Sequence, residues 1–317
     1  FRNVTGVQTC ALPIYYMKVI VFGANGMVGS ALMRRIPQAI GIGRNDADLR
    51  DQSQVIALLR KHKPNHVYIA AAKVGGIIAN SLYPGEFLYD NLMIQSNIIH
   101  ASKIYGVDKL MFLGSSCIYP RNCKQPMKEE YLFSGLLEST NKAYAVAKLA
   151  GIELCKAYNK QYDTNFISVI PTNLYGQGDN YDLNNSHVIP ALIRKIWEAK
   201  SMNDDFVEIW GTGNPQREFM DVDDLADACC YIMKHYDGTD PINVGSGEEC
   251  TIAELAKKIS KIINYKGSFI FDSSKPDGVE RKLMDSSKLK KLGWSPSITL
   301  DQGLKQTIEI RYGSKKS

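Results

Sequence analysis

The 317-residue sequence has little of what marks stapled, metal-bound or membrane-spanning proteins. Its seven cysteines include no C-x-x-C pair, so neither a zinc ribbon nor a dithiol redox motif can be read, and reduced thiols are expected. Of the five histidines, His62 and His66 are spaced like two ligands on one helix face, but Pro64 between them disfavours that helix. No metal site is expected. Nowhere do eighteen apolar residues run without a charge, which excludes a helical bilayer span and predicts a soluble, cytoplasmic chain. Nor does one charge dominate: 38 Lys and Arg against 33 Asp and Glu leave +5, spread along the chain apart from Lys315-Lys316. That balance is too mild for a nucleic-acid partner. What is present is ordinary globular material, 44% hydrophobic and 22% charged, long enough for one large α/β domain or two linked ones.

The first sixteen residues, FRNVTGVQTCALPIYY, have no basic n-region, no continuous apolar core and no small-residue cleavage pattern, so they do not read as a signal peptide. They resemble a translated sequencing-adapter read-through, and the native start is expected at Met17. From there the pattern alternates. MKVIVFGANGMVGSALMRRI reads as strand, glycine turn and helix; HVYIAAA (His66 to Ala72) follows a helical SQVIALLRKH, and KLMFLGSS (Lys109 to Ser116) follows NLMIQSNIIHASKIYG. A helix over Tyr144 to Tyr162 then leads to a strand, FISVIPTNLYG (Phe166 to Gly176). Repeated helix-then-strand order predicts an α/β fold, a doubly wound parallel sheet. The regularity fails from Gln177, where a polar loop precedes a helix at about Pro190 to Lys200. Arg217 to Tyr236 and Ile242 to Gly247 read as helix and strand of the main sheet again. The expected boundaries are therefore 17–172 with 217–246 for a nucleotide-binding domain, and 173–216 with 247–312 for a smaller, discontinuous α/β substrate domain.

Gly23-Ala24-Asn25-Gly26-Met27-Val28-Gly29 is G-x-x-G-x-x-G between a strand and a helix. Such a turn aims backbone N–H groups and the helix dipole at a pyrophosphate, so a Rossmann dinucleotide site is expected. Arg44 follows the next strand, where NAD-binding chains usually offer a carboxylate; it can grip a 2′-phosphate, and NADP(H) is the preferred cofactor. Asp46 and Asp48 stand close enough to keep NAD open.

Tyr144-Ala-Val-Ala-Lys148 puts a phenol and an ammonium four residues apart, on one helix face. A neighbouring cation favours the phenolate, so this pair can exchange a proton with a carbonyl oxygen at neutral pH. With the glycine turn and Ser115 at a strand end, these residues resemble the extended short-chain dehydrogenase/reductases, whose triad is Ser or Thr, Tyr and Lys. Ser115 is the match because it stands four residues before Tyr119 of the Ile-Tyr pair. AAAKVGG (Ala70 to Gly76), GSSCIYP (Gly114 to Pro120), PTNLYG (Pro171 to Gly176), NSHVIPAL (Asn185 to Leu192) and SKPDG (Ser274 to Gly278) are similar, more narrowly, to the GDP-L-fucose synthase family. The likeness runs from Met17 to about Tyr312.

That resemblance implies an enzyme taking GDP-4-dehydro-6-deoxy-D-mannose, epimerising its third and fifth carbons and reducing the fourth with NADPH. Both epimerised carbons flank a ketone, so each proton can leave to an enolate and be returned from the opposite face. The family pattern assigns this proton traffic to Cys117 and His187, the hold on the keto oxygen to Ser115 and Tyr144, proton donation to Tyr144, and its electrostatic support to Lys148. Cofactor contacts carry over to Leu113, Gly114, Ser115, Ser116, Pro171, Thr172, Asn173, Leu174 and His187. GDP-sugar contacts carry over to Lys195, Trp210, Arg217 and Asp277, with Lys195 where some members have arginine. A homodimer through the helices containing Asn91 to Tyr105 and Tyr144 to Tyr162 is also implied. A 4,6-dehydratase or 4-epimerase on the same scaffold is the nearest alternative; a dehydratase needs a carboxylate pair where Ser116-Cys117 stand, and a 4-epimerase would leave Cys117 and His187 idle. A non-catalytic dinucleotide-sensing regulator is the alternative of another class.

Overall fold

Six short, mostly apolar runs make the main sheet: Val19–Phe22, Ile40–Ile42, His66–Ile69, Lys109–Leu113, Phe166–Pro171 and Ile242–Val244. The structure, a computed structural model, describes residues 17–183, 185–275 and 277–313; the leader 1–16, the lysine tail and Pro276 of SKPDG lie outside the described residues. All six strands pair in parallel, in the spatial order second, first, third, fourth, fifth, sixth. Consecutive side chains leave a strand on opposite faces. Thus Ile20, Phe22, Leu110 and Phe112 enter a core under the helices Gln52–His62, Pro84–Ile104 and Lys142–Tyr162. Val19, Val21, Met111 and Leu113 enter a second core under Met27–Arg35 and Val222–His235. Both faces are covered, which is why the strands read as continuous apolar runs.

From Val19–Phe22 the chain goes first to a neighbour on one side and then to one on the other. The connections diverge there and open a crevice at the carboxyl ends of the strands, the place where doubly wound sheets bind ligands. A smaller unit stands over that edge. Its four-stranded sheet contains Asn173–Tyr175, Gln216–Asp221, Glu249–Thr251 and Arg281–Lys282, and a two-stranded one pairs Phe206–Trp210 with Ser268–Asp272. Ile193 and Ile196 of the helix Val188–Met202 pack with Leu255 and Ile259 of Ile252–Ile263 and with Leu304 of Leu300–Tyr312. Capping boxes, Thr251 with Glu254 and Thr299 with Gln302, start Ile252–Ile263 and Leu300–Tyr312.

Two segments depart from the sequence reading. FISVIPTNLYG is two strands, broken at Thr172, whose N–H donates to Val244 O at 2.9 Å and whose hydroxyl donates to Glu218 O at 3.3 Å. This residue is the pivot between the two sheets. The stretch from Arg217 does not open as a helix either: Gln216–Asp221 is a strand of the smaller sheet, and the chain rejoins the main layer at Val222. Asp221 sets that boundary by accepting the Asp223 N–H at 2.8 Å as the helix N-cap.

Candidate active site

Gly23 through Gly29 occupy the first strand-to-helix turn, with Gly26 as N-cap of the helix starting at Met27 and no side chain capping it. Two glycines are required by contact. Gly23 has φ +85°, and a Cβ there would lie 2.6 Å from the Ala71 N; one on Gly29 would lie 1.9 Å from the Gly23 O. The turn is therefore pressed between the first helix and the Ala70-Ala71 loop, leaving its backbone to face a ligand. Ala24 and Gly23 donate to Ile42 O, which draws the second strand and Gly43 alongside, and the Asn25 side chain lies against Gly43.

Beyond it the charges sort themselves. Asp46 Oδ2 accepts the Gly43 N–H at 2.7 Å, and Asp48 is clamped by the Arg50 guanidinium, at 2.8 Å from Nη2, which pulls its carboxyl down to about 2. Both acids that could serve ribose hydroxyls are committed to the protein. Arg44 is exposed and, among the described residues, has no ion pair or hydrogen bond. A glycine cradle that a Cβ would fill, together with an unpaired guanidinium beside it, suits a dinucleotide carrying an extra phosphate.

Leu113 ends the fourth strand and Gly114, Ser115 and Ser116 follow it, while Pro171 ends the fifth and Thr172, Asn173 and Leu174 follow, at the same edge of the sheet. Asn173 is tied inward, its Nδ2 donating to Glu218 O at 2.9 Å. Lys148 lies under this edge, only 3% exposed, donating to Leu113 O at 2.9 Å with its Nζ 5.8 Å from the Tyr144 ring centroid. Burial alone brings its pKa down to about 7. The Tyr144 phenol moves the other way, raised by burial and by the neighbouring Cys117, with the Ser115 hydroxyl partly opposing. At neutral pH this phenol holds its proton, the state needed to protonate an oxygen that is gaining charge. Tyr119, the marker of the Ser115 motif, is itself a brace: its hydroxyl donates to Asn243 Oδ1 at 2.7 Å and fixes the turn that carries Ser115 and Cys117.

Cys117 Sγ has Lys282 Nζ 3.6 Å away, a residue the sequence reading did not single out. His187 stands at the N-cap position of the helix Val188–Met202 without a side-chain cap bond, and its imidazole is held below the usual value by desolvation and then by the charge of Lys282. One ammonium thus acts on both groups read as proton carriers. The adjoining Asn185-Ser186 backbone rests on Gly76, bringing AAAKVGG and NSHVIPAL together.

Of the residues read as sugar-nucleotide contacts, Trp210 is 49% exposed and faces two ammonium groups, Lys195 and Lys275, each 5.6 Å from its ring centroid. Lys195 also donates to Glu208 O at 3.1 Å. Arg217 donates to Gln216 O and to Asp277 O, and burial lowers its pKa. Asp277 spends both carboxylate oxygens on Thr212, at 2.7 Å to its N–H and 2.8 Å to its hydroxyl, so it secures the turn at Gly211-Thr212. Lys275 and Lys282 were missed because a lysine in SKPDGVERKL looks like any solvated charge; only pairing with the strand Gln216–Asp221 turns Lys282 inward.

A parallel sheet whose carboxyl edge carries a glycine turn for a dinucleotide and a Ser-Tyr-Lys group defines a nucleotide-dependent oxidoreductase or epimerase of the short-chain type. The chain belongs to the NAD dependent epimerase/dehydratase family, whose model matches residues 19–245. It is 49% identical over 306 residues to the GDP-L-fucose synthase of Escherichia coli (strain K12), covering 92% of this chain and 95% of that one. With the GDP-L-fucose synthase of Sinorhizobium fredii it shares 48% over 305 residues, 94% and 97% of the two chains. A crystal structure of a GDP-L-fucose synthetase from Naegleria fowleri bound to NADP matches with a TM-score of 0.87 at 30% identity, over 95% of each chain.

Proposed function

We propose that this protein is a GDP-L-fucose synthase, converting GDP-4-dehydro-6-deoxy-D-mannose to GDP-L-fucose by epimerisation at the third and fifth sugar carbons and reduction at the fourth, with NADP(H) as cofactor. The observation that carries the reading is the gathering of Ser115, Cys117 and Lys148 around Tyr144 in a chain about half identical to synthases over nearly its whole length. Gly23 to Gly29 and Arg44 would hold the cofactor, which when bound supplies the hydride. Ser115 and Tyr144 hold the keto oxygen and so polarise the ketone. Cys117 takes the proton from the adjacent carbon, the electron pair moves to the oxygen, and His187 returns a proton to the opposite face. The lowered pKa of the His187 imidazole, set by desolvation and then by Lys282, makes its protonated form a strong donor. In the reduction, Tyr144 gives its proton to the oxygen while Lys148 offsets the phenolate left behind. Lys195, Trp210 and Arg217 would bind the GDP moiety, with Asp277 bracing that subsite. The helices Pro84–Ile104 and Lys142–Tyr162 leave Tyr89, Ile104, Val146 and Tyr162 exposed, which supports a homodimer through them.

The test is to supply enzymatically made GDP-4-dehydro-6-deoxy-D-mannose and NADPH, follow cofactor oxidation, and identify the product by NMR. GDP-L-fucose is expected. GDP-rhamnose would mean reduction without epimerisation and remove the roles of Cys117 and His187; no NADPH consumption by folded protein would sink the reading.

A further inference from the structure

We propose that Lys282 is the cationic partner of the Cys117 sulfur, a positioning residue that sets an ammonium against the atom that takes up the proton in the two epimerisations. The proposal rests on Cys117 acting as the base. Arg281–Lys282 runs parallel to Gln216–Arg217 with Lys282 opposite Arg217. Paired residues of parallel strands send their side chains to the same face, so two cations project together toward the turn bearing Cys117. Lys282 reaches the sulfur at 3.6 Å, and Arg217 lies within electrostatic reach of it. The preceding residue behaves differently: Arg281 is locked on Glu249, with Nε 2.9 Å from Oε2. Among the described residues Lys282 has no carboxylate partner, so its charge is uncompensated except by the sulfur.

The segment carrying Lys282 is fixed on both sides. Leu283 donates to Gln125 Oε1 and Met284 to Glu218 Oε2, each at 2.9 Å, while Met127 donates to Leu283 O at 2.7 Å. Among the described residues, the other charged or titratable groups around the sulfur are Tyr144 from the helix Lys142–Tyr162, Tyr119, whose hydroxyl is given to Asn243, and Arg121 and Glu138, which line the same cavity and pair with each other at 3.3 Å. None supplies a competing anion free to neutralise Lys282. In the reaction the C–H bond breaks as an S–H bond forms, the electron pair moves onto the enolate oxygen, and a proton from His187 bonds the carbon from the other face. Lys282 keeps its proton throughout. It favours the charged sulfur beforehand, and the same charge makes an imidazolium at His187 a readier donor.

The experiment compares the full chain with Lys282→Met and Lys282→Arg. Alkylation of Cys117 by iodoacetamide at pH 7, followed by peptide mass spectrometry without substrate, is expected to slow at least tenfold in Lys282→Met and to recover to within threefold in Lys282→Arg. Deuterium uptake from solvent into the sugar is expected to fall with the alkylation rate, with KM for the GDP-sugar nearly unchanged. Unchanged alkylation with a raised KM would make Lys282 a phosphate contact and overturn the pairing. Lys282→Gln replaces the methionine variant if that fails to fold, judged by circular dichroism and NADPH binding. If wild-type protein neither takes up deuterium nor oxidises NADPH, the functional reading fails, while the alkylation comparison still decides the pairing.

Discussion

Lys148 shows what burying one charge costs in stability. Its pKa falls from 10.5 to about 7 because the ammonium is buried with a single carbonyl acceptor. The folded state binds this proton more weakly than the unfolded chain, so charge burial costs on the order of 4 kcal/mol at or below neutral pH and is relieved as pH rises toward 10. Lys148→Met is therefore expected to raise the melting temperature at pH 6 to 7, with the gain shrinking toward pH 10, while reduction falls more than a hundredfold. Thermal melts across pH together with single-turnover NADPH oxidation check both halves. In the wild type, single-turnover reduction is expected to decline as pH rises through about 7, where Lys148 loses its charge. A rate that instead increases above pH 7 would remove it from the reduction step.

At the scale of elements, the nucleotide turn and the loop after the second strand make separable contributions. Gly29→Ala would drive a Cβ into backbone at 1.9 Å, which no side-chain shift can relieve. Loss of NADPH binding by more than tenfold, with a lower melting temperature, is expected from fluorescence titration and calorimetry. Arg44→Ala leaves the turn intact and removes the unpaired guanidinium. It is expected to raise KM for NADPH about tenfold and leave that for NADH within twofold, since Asp46 and Asp48 remain engaged. Equal loss with both cofactors would dissociate Arg44 from the 2′-phosphate.

Across the whole molecule, Glu218 joins parts that are distant in sequence. This fully buried carboxylate accepts the Gly247 N–H at 2.7 Å and the Met284 N–H at 2.9 Å, while its backbone carbonyl accepts from Thr172 and Asn173. Glu218→Gln turns one acceptor into a donor facing a backbone N–H, so a loss of about 1–3 kcal/mol is expected in urea unfolding. Because Met284 hangs from the same side chain, the Cys117 alkylation rate should drop as well. An unchanged rate in a destabilised variant would mean that Lys282 keeps its place without this anchor.

The alternation of apolar strands with helices was legible because burial on both faces leaves no other solution for runs such as VIVF and KLMFL. The placement of Gly23 to Gly29 in one turn and of Tyr144 with Lys148 on one helix was legible for a related reason: within one turn or helix, spacing fixes geometry. The break at Thr172 and the strand at Gln216–Asp221 were not, since hydrogen bonds to Val244 and Glu218 and the pairing with Asn173–Tyr175 decide them. Lys282 and the bracing role of Asp277 belong to the same class. Cys117 and Lys282 are 165 residues apart, and a 3.6 Å contact between them exists only because a two-residue strand pairs with another in one register. Local periodicity selects the elements, but long-range pairing decides which side chains meet.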